Sequence, residues 1–331
     1  MVMRFGVIGA GRIGKIHGGN IAARDDARVV SVADADARAA GALAKATDAK
    51  VAAIDDILAD KGIDAVAICA PTDMHADLIS RAAEAGKAIF CEKPVDLDVA
   101  RIKACLKIVD KAGVPLMIGF NRRFDPNFAA LQQRLVDGVA GEVELVSIIS
   151  RDPSPPPVSY VERSGGLFRD MMIHDFDMAR FLLGEEPVAV MASGSSVVDK
   201  AIGAAGDVDT AAVILETRSG KICQISNSRR ATYGYDQRME VHGSKGMLRA
   251  GNIHETTVEF SGAKGVAADP VQNFFLERYE AAYRAELAAF IKGAKKGTAL
   301  SPSGHDGLKA GLLADAATLS AKEHRRVEVK L

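Results

Sequence analysis

The sequence predicts an α/β protein with two domains, a doubly wound parallel sheet followed by a domain built on a mostly antiparallel sheet. Its 331 residues exceed the length of one ordinary domain, which is roughly 100–200 residues. From Arg4 to about Phe120, short uncharged apolar runs alternate with helical stretches, a pattern typical of parallel strands buried on both faces. After about Pro126 the apolar runs are longer and alternate with polar residues, which indicates an antiparallel sheet with one covered face.

The first domain, residues 1–121, is predicted to contain five strands separated by four helices. The predicted strands are Phe5–Gly9, Val29–Ala33, Ala65–Ala70, Ala88–Cys91 and Leu116–Gly119. The helical stretches lie near Ile13–Arg24, Ala35–Ala46, Met74–Ala85 and Val99–Ala112. Because each of the first four strands is followed by a helix, we expect the strands to run parallel.

The second domain, residues 122–331, is predicted to be richer in longer strands. Its predicted strands are Glu142–Ser150, Pro187–Ser196, Thr210–Thr217, Lys221–Asn227, Met239–His242 and, more weakly, Val258–Phe260. Its predicted helices are Asn127–Asp137, Gly166–Leu183, Phe274–Lys296 and Gly304–Glu323. The Ser219-Gly220 pair indicates a hairpin turn between two of the strands.

Composition and charge exclude several classes of function. The 42 Lys+Arg and 43 Asp+Glu residues balance, so nothing indicates the basic face that nucleic acid or an anionic membrane requires. No apolar run approaches the roughly 18 residues of a membrane span. The four cysteines lie far apart without zinc-ligand spacing, so we expect no metal site and a reducing compartment. Because the first residues show no pattern of a secretion signal, we expect a cytoplasmic protein.

A glycine-rich segment follows the first predicted strand and opens a helix: Gly9-Ala10-Gly11-Arg12-Ile13-Gly14. Gly9 allows a tight turn, Gly11 lets the backbone approach a pyrophosphate, and Gly14 permits close packing of the helix on the strand. Unpaired N–H groups at the helix start favour phosphate. The segment, including Arg12 and Ile13, therefore predicts a dinucleotide site of the Rossmann type. The alternative is a glycine turn with a structural role only.

Asp34 ends the second predicted strand and indicates which dinucleotide is bound. A carboxylate there accepts hydrogen bonds from the ribose hydroxyls of NAD and repels the 2′-phosphate of NADP. Arg38, one helical turn later, offers a positive charge that favours the phosphate instead, or it is an ordinary solvated helix residue. We therefore expect NAD as the cofactor, with Asp34 and Arg38 near its ribose.

Four segments together resemble the glucose–fructose oxidoreductase/inositol dehydrogenase/MocA family over essentially the whole chain. They are the glycine segment, Ala70-Pro71-Thr72-Asp73-Met74-His75, Cys91-Glu92-Lys93-Pro94, and the pair Asp170 and His174. The resemblance is strongest to bacterial inositol dehydrogenases, through Gly11–His17, Asn121–Asp125 and Tyr233–Asp236. It implies an N-terminal Rossmann domain and a C-terminal α/β domain with an open, mostly antiparallel sheet that binds substrate and forms oligomers.

The resemblance implies three catalytic residues that also contact the substrate, Lys93, Asp170 and His174. His174 would take the hydroxyl proton, since a histidine with a reference pKa near 6.5 suits proton transfer at neutral pH. Lys93 would stabilise the developing alkoxide. Asp170 precedes His174 by four residues, so both are expected on one helix face, where Asp170 orients the imidazole or binds hydroxyls. Without the other segments, these residues would read as an ordinary Asp–His helix pair and a surface lysine.

Further residues follow from the same resemblance. Pro71, Thr72 and His75 would line the nicotinamide, and Glu92 would lie beside its ribose, although His75 alone is as well explained by capping or packing. Lys93 also contacts the cofactor in this arrangement. The candidates for substrate contact are Arg123, Asp152, Tyr235 and Tyr283. The Arg122-Arg123 pair is equally consistent with a solvated loop.

The function implied is oxidation of myo-inositol to 2-keto-myo-inositol (scyllo-inosose) by hydride transfer to NAD, within inositol catabolism. One alternative is the same chemistry on another inositol isomer or a pyranose sugar. An alternative of another class is a non-catalytic NAD-binding regulator on the same fold. An uncovered apolar sheet face would be an association surface, so we expect a homo-oligomer, tetrameric as in much of the family.

Overall fold

The computed structural model describes residues 2–331. The chain forms two compact units. The first unit comprises Met1–Asn121 and Ala282–Gly311, and the second comprises Arg122–Ala281 and Leu312–Leu331. Within residues 2–331, none of the helices combines the length and apolar character that crossing a membrane requires.

The first unit is built on a parallel sheet with helices between its strands. In chain order its elements are β1 (Met3–Ile8), α1 (Arg12–Ala22), β2 (Ala27–Ala33), α2 (Ala37–Ala46), β3 (Lys50–Val51), α3 (Ile54–Ala59), β4 (Ala65–Ile68), α4 (His75–Glu84), β5 (Ala88–Cys91), α5 (Val99–Ala112) and β6 (Leu116–Ile118). The predicted strand–helix alternation is confirmed. The sequence pattern missed β3 and α3 because β3 has only two residues, both exposed, and α3 has only six.

The six strands lie in the order β3-β2-β1-β4-β5-β6, and every neighbouring pair is parallel. All residues of β4 and β5 are buried, as expected for strands covered on both faces. The order reverses between β1 and β4. Ligands bind at the carboxyl ends of strands at such a reversal point, which is where Gly9 and the segments after β4 and β5 lie.

The second unit contains a seven-stranded sheet and a separate hairpin. Its elements begin with α6 (Pro126–Val136), β7 (Val143–Arg151), α7 (Val158–Ser164), α8 (Gly166–Asp170), α9 (Ile173–Leu183), β8 (Pro187–Ser195), α10 (Lys200–Ala204), β9 (Thr210–Thr217) and β10 (Ile222–Ser228). They continue with β11 (Asp236–Gly243), β12 (Gly246–Ala250), β13 (Glu259–Gly262), β14 (Gly265–Ala268) and α11 (Phe275–Arg278). The remaining elements of the chain are α12 (Glu280–Lys296), α13 (Gly304–Glu323) and β15 (Val327–Glu328), and residues 282–311 of this stretch belong to the first unit.

The large sheet has the order β12-β11-β7-β10-β9-β8-β15. Every neighbouring pair is antiparallel except β7 and β10, which are parallel. The prediction of an open, mostly antiparallel sheet is therefore confirmed. Helix α9 packs against β7 and β10 on one face. The opposite face exposes the apolar side chains Met191, Ile214, Ile222 and Met247.

Residues 282–311 belong to the first unit, whereas the sequence placed all of 122–331 in one domain. Packing explains the difference. The ring of Phe290 lies 6.0 Å from Phe5 and 5.8 Å from Phe90, which are both in strands of the first unit. A Cβ on Gly304 would lie 2.4 Å from a methyl carbon of Leu106, so only glycine permits this close approach of α13.

The predicted helix Gly166–Leu183 is two helices, α8 and α9, separated by Met171 and Met172. The N–H of Met172 donates to the carbonyl of Leu167, five residues earlier, so the hydrogen-bond ladder of α8 closes there. Asp170 is thus the last residue of α8, and His174 is the second residue of α9. Their spacing of four residues predicted one continuous helix face for both. That prediction is wrong, because the two residues lie in separate helices.

Replacing Gly14 by Ala tests the close packing of α1 on the glycine turn. A Cβ at residue 14 would lie 1.9 Å from the Gly9 carbonyl oxygen, and backbone must shift to relieve it. We expect G14A to lower the free energy of unfolding by about 1–3 kcal/mol, the usual cost of overpacking, and to weaken NAD binding. The control is Gly19→Ala on the same helix, where a Cβ meets nothing within 4 Å. Equal stability of both variants in urea unfolding would contradict the packing argument.

Candidate functional site

The turn between β1 and α1 has the backbone that a dinucleotide site needs. Gly9 has φ +103°, and a Cβ there would lie 2.4 Å from the Cys69 carbonyl oxygen. A Cβ on Gly11 would meet nothing within 4 Å, so this side of the turn is open. Helix α1 begins at Arg12 with no side-chain cap and no acidic residue in its first turn. Its N-terminal N–H groups therefore fit the pyrophosphate of NAD.

Asp34 joins the glycine turn to the end of β2. Its Oδ2 atom accepts a hydrogen bond from the Ala10 N–H at 2.6 Å, and its Oδ1 accepts one from the Asp36 N–H at 2.8 Å. The carboxylate is half-buried and fixed next to the turn. Arg38 has an exposed side chain, and its N–H donates to the Asp36 carboxylate that caps α2. This arrangement fits the ribose end of NAD.

Lys93 is the second residue after β5, at the carboxyl edge of the parallel sheet. Its side chain is half-buried, while the flanking Glu92 and Pro94 are buried. The Glu92 N–H continues the ladder to the carbonyl of Ile68 in β4 at 3.0 Å. Lys93 is thus held on a short segment that begins at a buried strand end. Pro71 is exposed and Thr72 half-buried in the short helical turn after β4.

His75 connects the segments that follow β4 and β5. Its Nδ1 lies 2.7 Å from the Pro94 carbonyl oxygen, and its Nε2 lies 2.8 Å from the Ala70 carbonyl oxygen. The residue is 1% exposed, so both ring nitrogens are engaged with backbone. This geometry agrees with a packing role for His75, the alternative that the sequence left open. The ring also fixes the position of the segment that carries Lys93.

A buried cluster of His17, Glu92 and Glu286 lies beneath this edge. The His17 Nε2 lies 2.8 Å from Glu92 Oε1 and 3.9 Å from Glu286 Oε1. Both oxygens of Glu286 lack a hydrogen-bond partner among the described residues. Burial raises the pKa of Glu286 well above its usual range, and the charge of Glu92 raises it further. The three groups are close enough to share one metal ion, although a retained proton on Glu286 also balances the charge.

The sequence did not assign His17 or Glu286 to any site. His17 stands one turn beyond the glycine segment, and Glu286 comes 194 residues after Glu92, so no spacing connects them. The ring of Tyr283, which was predicted to contact substrate, lies 5.6 Å from that of His17, edge to face, in the first unit.

In the second unit, Asp170 and His174 flank the junction between α8 and α9, and both are half-buried. The hydroxyl of Tyr160 in α7 donates a hydrogen bond to Asp170 Oδ1 at 2.9 Å. Burial raises the pKa of this hydroxyl, and the nearby Asp170 raises it further, so Tyr160 stays a proton donor at neutral pH. The sequence gave no signal for Tyr160.

Asp152 follows the end of β7 and lies in the electrostatic field of the same groups. Burial raises its pKa to about 6; the positive charge of Arg229 opposes this rise, and the negative charge of Asp170 adds to it. The carboxyl group of Asp152 is therefore easier to protonate than that of an ordinary aspartate. The predicted substrate residues Asp152 and Asp170 are thus electrostatically coupled in one unit.

A buried polar network lies beside them and was not predicted. Arg122 pairs with Asp175, and both are fully enclosed. The Asn227 amide also donates to Asp175, at 2.9 Å, and Arg122 donates to the Ser150 hydroxyl at 3.1 Å. Burial raises the pKa of Asp175 to about 6, against the charge of Arg122. The network fixes the ends of β7 and β10, next to Asp152.

The other predicted substrate residues of this unit have partners within the protein. Arg123, expected either to anchor substrate or to lie in a solvated loop, forms a two-pronged pair with Asp177 at 2.7 and 2.6 Å, and its guanidinium lies 4.9 Å from the Phe181 ring centre. Tyr235 is 6% exposed and packs edge to face on Tyr279. Burial raises the pKa of Tyr235 well above its usual range.

Comparison with known proteins supports an NAD-binding first unit and identifies the family of the second. Residues 3–120 match the oxidoreductase family with an NAD-binding Rossmann fold, and residues 128–249 match the GFO/IDH/MocA C-terminal domain. These matches define an NAD-dependent oxidoreductase, and NAD is its cofactor.

The sequence is 57% identical over 329 residues to an inositol 2-dehydrogenase of Rhizobium meliloti (strain 1021), with 99% of this chain and 100% of that protein covered. It is 46% identical over 330 residues to a myo-inositol 2-dehydrogenase of Thermotoga maritima, with 99% of each covered. The chain therefore belongs to the GFO/IDH/MocA family, as the sequence resemblance implied.

Two solved structures have the same fold with ligands bound. A myo-inositol dehydrogenase from Lactobacillus casei in complex with NAD(H) and myo-inositol has a TM-score of 0.90 at 27% identity, covering 100% of this chain and 98% of that one. A scyllo-inositol dehydrogenase from the same organism, with NAD(H) and scyllo-inositol, has a TM-score of 0.92 at 28% identity, covering 99% of each chain.

Glu286→Gln tests the protonation of the buried cluster. Because the folded protein holds the Glu286 proton more tightly than the unfolded chain, its contribution to stability is full below about pH 4.5 and is lost as the pH rises through the higher folded pKa. A neutral amide does not pay this penalty. We expect the unfolding temperature of E286Q to decline less from about pH 5 to 8 than that of the wild type. The exposed Glu84→Gln is the control, and parallel wild-type and E286Q curves would refute the assignment.

Proposed function

We propose that the protein oxidises myo-inositol to 2-keto-myo-inositol (scyllo-inosose), with NAD accepting the hydride. The observation that carries the proposal is the full-length likeness to dehydrogenases named for inositol, in a chain that has Lys93, Asp170 and His174. The first unit carries Lys93 at the carboxyl edge of its parallel sheet. The second unit carries a carboxylate-rich cluster at the α8–α9 junction.

Lys93 is proposed to stabilise the alkoxide that develops as the substrate hydroxyl loses its proton. An ammonium group held in place before the reaction stabilises developing negative charge without reorganisation. The segment that carries Lys93 is tied to β4 through the Glu92 N–H and to Ala70 through the His75 ring. These contacts restrict the positions that the ammonium group can take.

His174 is proposed to accept the proton of the reacting hydroxyl. Asp170 is proposed to bind a neighbouring hydroxyl or to orient His174 across the helix junction. Tyr160 donates to Asp170 Oδ1, which restricts the orientation of this carboxylate. Asp152 and Tyr235 are proposed as further contacts to the ring hydroxyls, since a polyol needs many donors and acceptors.

The preferred stereoisomer is decided by which hydroxyls find partners. A site built to bind a hydroxyl rejects an analogue that lacks it, because a buried polar group is then left unpaired. The likeness to a scyllo-inositol dehydrogenase favours that isomer as the second candidate substrate. The likeness to named dehydrogenases argues against the non-catalytic regulator.

The test is NADH formation by the purified protein with myo-, scyllo- and chiro-inositol, glucose and xylose, each with NAD and with NADP. We expect the highest kcat/KM with myo-inositol and NAD. Turnover of a pyranose but of no inositol would show that myo-inositol is not the substrate. Binding of NAD without turnover of any polyol would overturn the proposal.

Lys93→Met removes the ammonium group while keeping most of the side-chain volume. We expect kcat for the preferred polyol to fall about 100-fold or more, as on loss of other preorganised charge-stabilising donors. NAD affinity, measured by calorimetry, should stay close to that of the wild type. The exposed Lys103→Met should behave like the wild type in both assays. Near-normal kcat in K93M would remove Lys93 from the mechanism.

We also propose that the second unit associates through its open sheet face, in a cytoplasmic homotetramer that serves inositol catabolism. Met191 in β8 is directly opposite Ile214 in β9, and the two are 53% and 45% exposed. Ile222 and Met247 lie on strands of the same sheet and are exposed as well. Exposed apolar side chains on one face of a sheet favour an association surface in soluble proteins.

The double variant Met191→Glu/Ile214→Glu places two carboxylates on this face. Because burying these charges in an interface is unfavourable, we expect the assembly to dissociate in light-scattering measurements. Val136→Glu, at a 71% exposed position at the end of α6, is the matched control and should not change the mass. A wild-type monomer would contradict the proposed association.

A further inference from the structure

The largest fully buried side chain of the described residues is a charged one, Arg229, directly after β10. It is 1% exposed, and its backbone N–H donates to the Asp209 carbonyl oxygen at 2.8 Å. The next residue, Arg230, is exposed. Burying a guanidinium is unfavourable unless neighbouring charges offset it, so this position requires an explanation.

The guanidinium of Arg229 lies between two carboxylates. Its Nη2 atom is 3.8 Å from Asp170 Oδ2 and 3.8 Å from Asp207 Oδ2. Neither Nη2 nor Nε has a hydrogen-bond partner among the described residues. Its contribution is therefore that of a central charge, not of a two-pronged pair with one acid.

The two carboxylates lie at opposite ends of α8. Both oxygens of Asp207 accept the N–H of Leu167 at 3.0 Å, at the start of the helix, and Asp170 is its last residue. Arg229 thus faces the anchor of α8 and the acidic residue that α8 presents. A shift of this guanidinium would affect the position of Asp170 even though Arg229 is itself enclosed.

Asp152 lies beside Arg229, because its backbone N–H donates to the carbonyl of the preceding residue, Ser228, at 3.0 Å. The groups that affect the pKa of Asp152 are Arg229 and Arg122, which lower it, and Asp170 and Asp175, which raise it together with burial. Tyr160, which is bonded to Asp170, and Tyr235 are further titratable neighbours of Asp152. Arg122 is already paired with Asp175, so Arg229 is the cation that is shared by Asp152, Asp170 and Asp207.

We propose that Arg229 is a positioning residue of the substrate site: its buried guanidinium is the common counter-charge that holds Asp152 and Asp170 as a pair of carboxylates in place at the α8–α9 junction. Arg229 does not contact the polyol, since it is enclosed. The proposal rests on the function proposed above, because it assigns Asp152 and Asp170 to substrate binding.

The test compares Arg229→Gln with Arg229→Lys, and uses Arg230→Gln as the matched control on the adjacent, exposed position. Removing the charge raises the pKa of Asp152 above its value of about 6, so the carboxylate pair takes up a proton at higher pH. We expect the acidic limb of the kcat/KM profile of R229Q to move up by about one pH unit, which is a tenfold loss on that limb, with partial recovery at alkaline pH. R229K should restore most of the wild-type profile, and R230Q should match it.

A second readout does not depend on catalysis. Potentiometric titration of folded R229Q and R230Q, each against the wild type, measures proton uptake directly. We expect R229Q to gain up to one bound proton between about pH 6 and 7.5, and R230Q to gain none. If R229Q does not fold, the proposal is judged on the pH profile and the titration of R229K. The lysine ammonium keeps the positive charge of Arg229 and changes only the shape of the charged group.

Two outcomes would overturn the proposal: an R229Q profile that keeps its acidic limb while kcat falls at all pH values, or titration curves that coincide with the wild type. A wild-type protein that oxidises no polyol would instead reject the proposed function. The titration would still show whether Arg229 is the counter-charge of the pair.

Discussion

The close approach of the backbone at Gly9, Gly14 and Cys69 is the constraint on which the first unit depends. No Cβ fits at Gly9 or Gly14, and this absence lets α1 start directly above the carboxyl end of β1. Asp34 also stabilises this turn, because its carboxylate accepts a hydrogen bond from the Ala10 N–H. The glycine turn, the Asp34 carboxylate and the strand ends that precede Glu92 and Lys93 all lie around this contact.

Both units bury charged side chains, and the charge is balanced differently in each. Near the cofactor turn, Glu286 is enclosed without a hydrogen-bond partner among the described residues, and its raised pKa means that a proton balances it. In the second unit the acids outnumber the arginines but face them, with Arg122 against Asp175 and Arg229 against Asp170 and Asp207. Mutual pairing of this kind fixes the positions of the polar side chains.

Much of the fold was predictable because its signals are local. The ends of Val99–Ala112 and Thr210–Thr217 agree with the predicted ones, since an Asp98 cap and a Gly113 end define the helix, and the Ser219-Gly220 turn follows the strand. Short elements such as β3 and β15 were missed, since two residues carry no periodicity. The helix predicted over Gly166–Leu183 was wrong at its middle, where one five-residue hydrogen bond interrupts an otherwise helical pattern.

By itself, the sequence determined the class of the protein: a glycine turn, an acid after β2 and a Glu-Lys-Pro segment after β5 are contiguous signals, each set by local backbone chemistry. Only the tertiary structure decided which distant side chains share a charge environment. His17, Glu92 and Glu286 come from three separate parts of the chain, as do Asp152, Asp170 and Arg229. Their pairing depends on burial and on distances of a few ångströms, and neither is encoded in the spacing of residues along the chain.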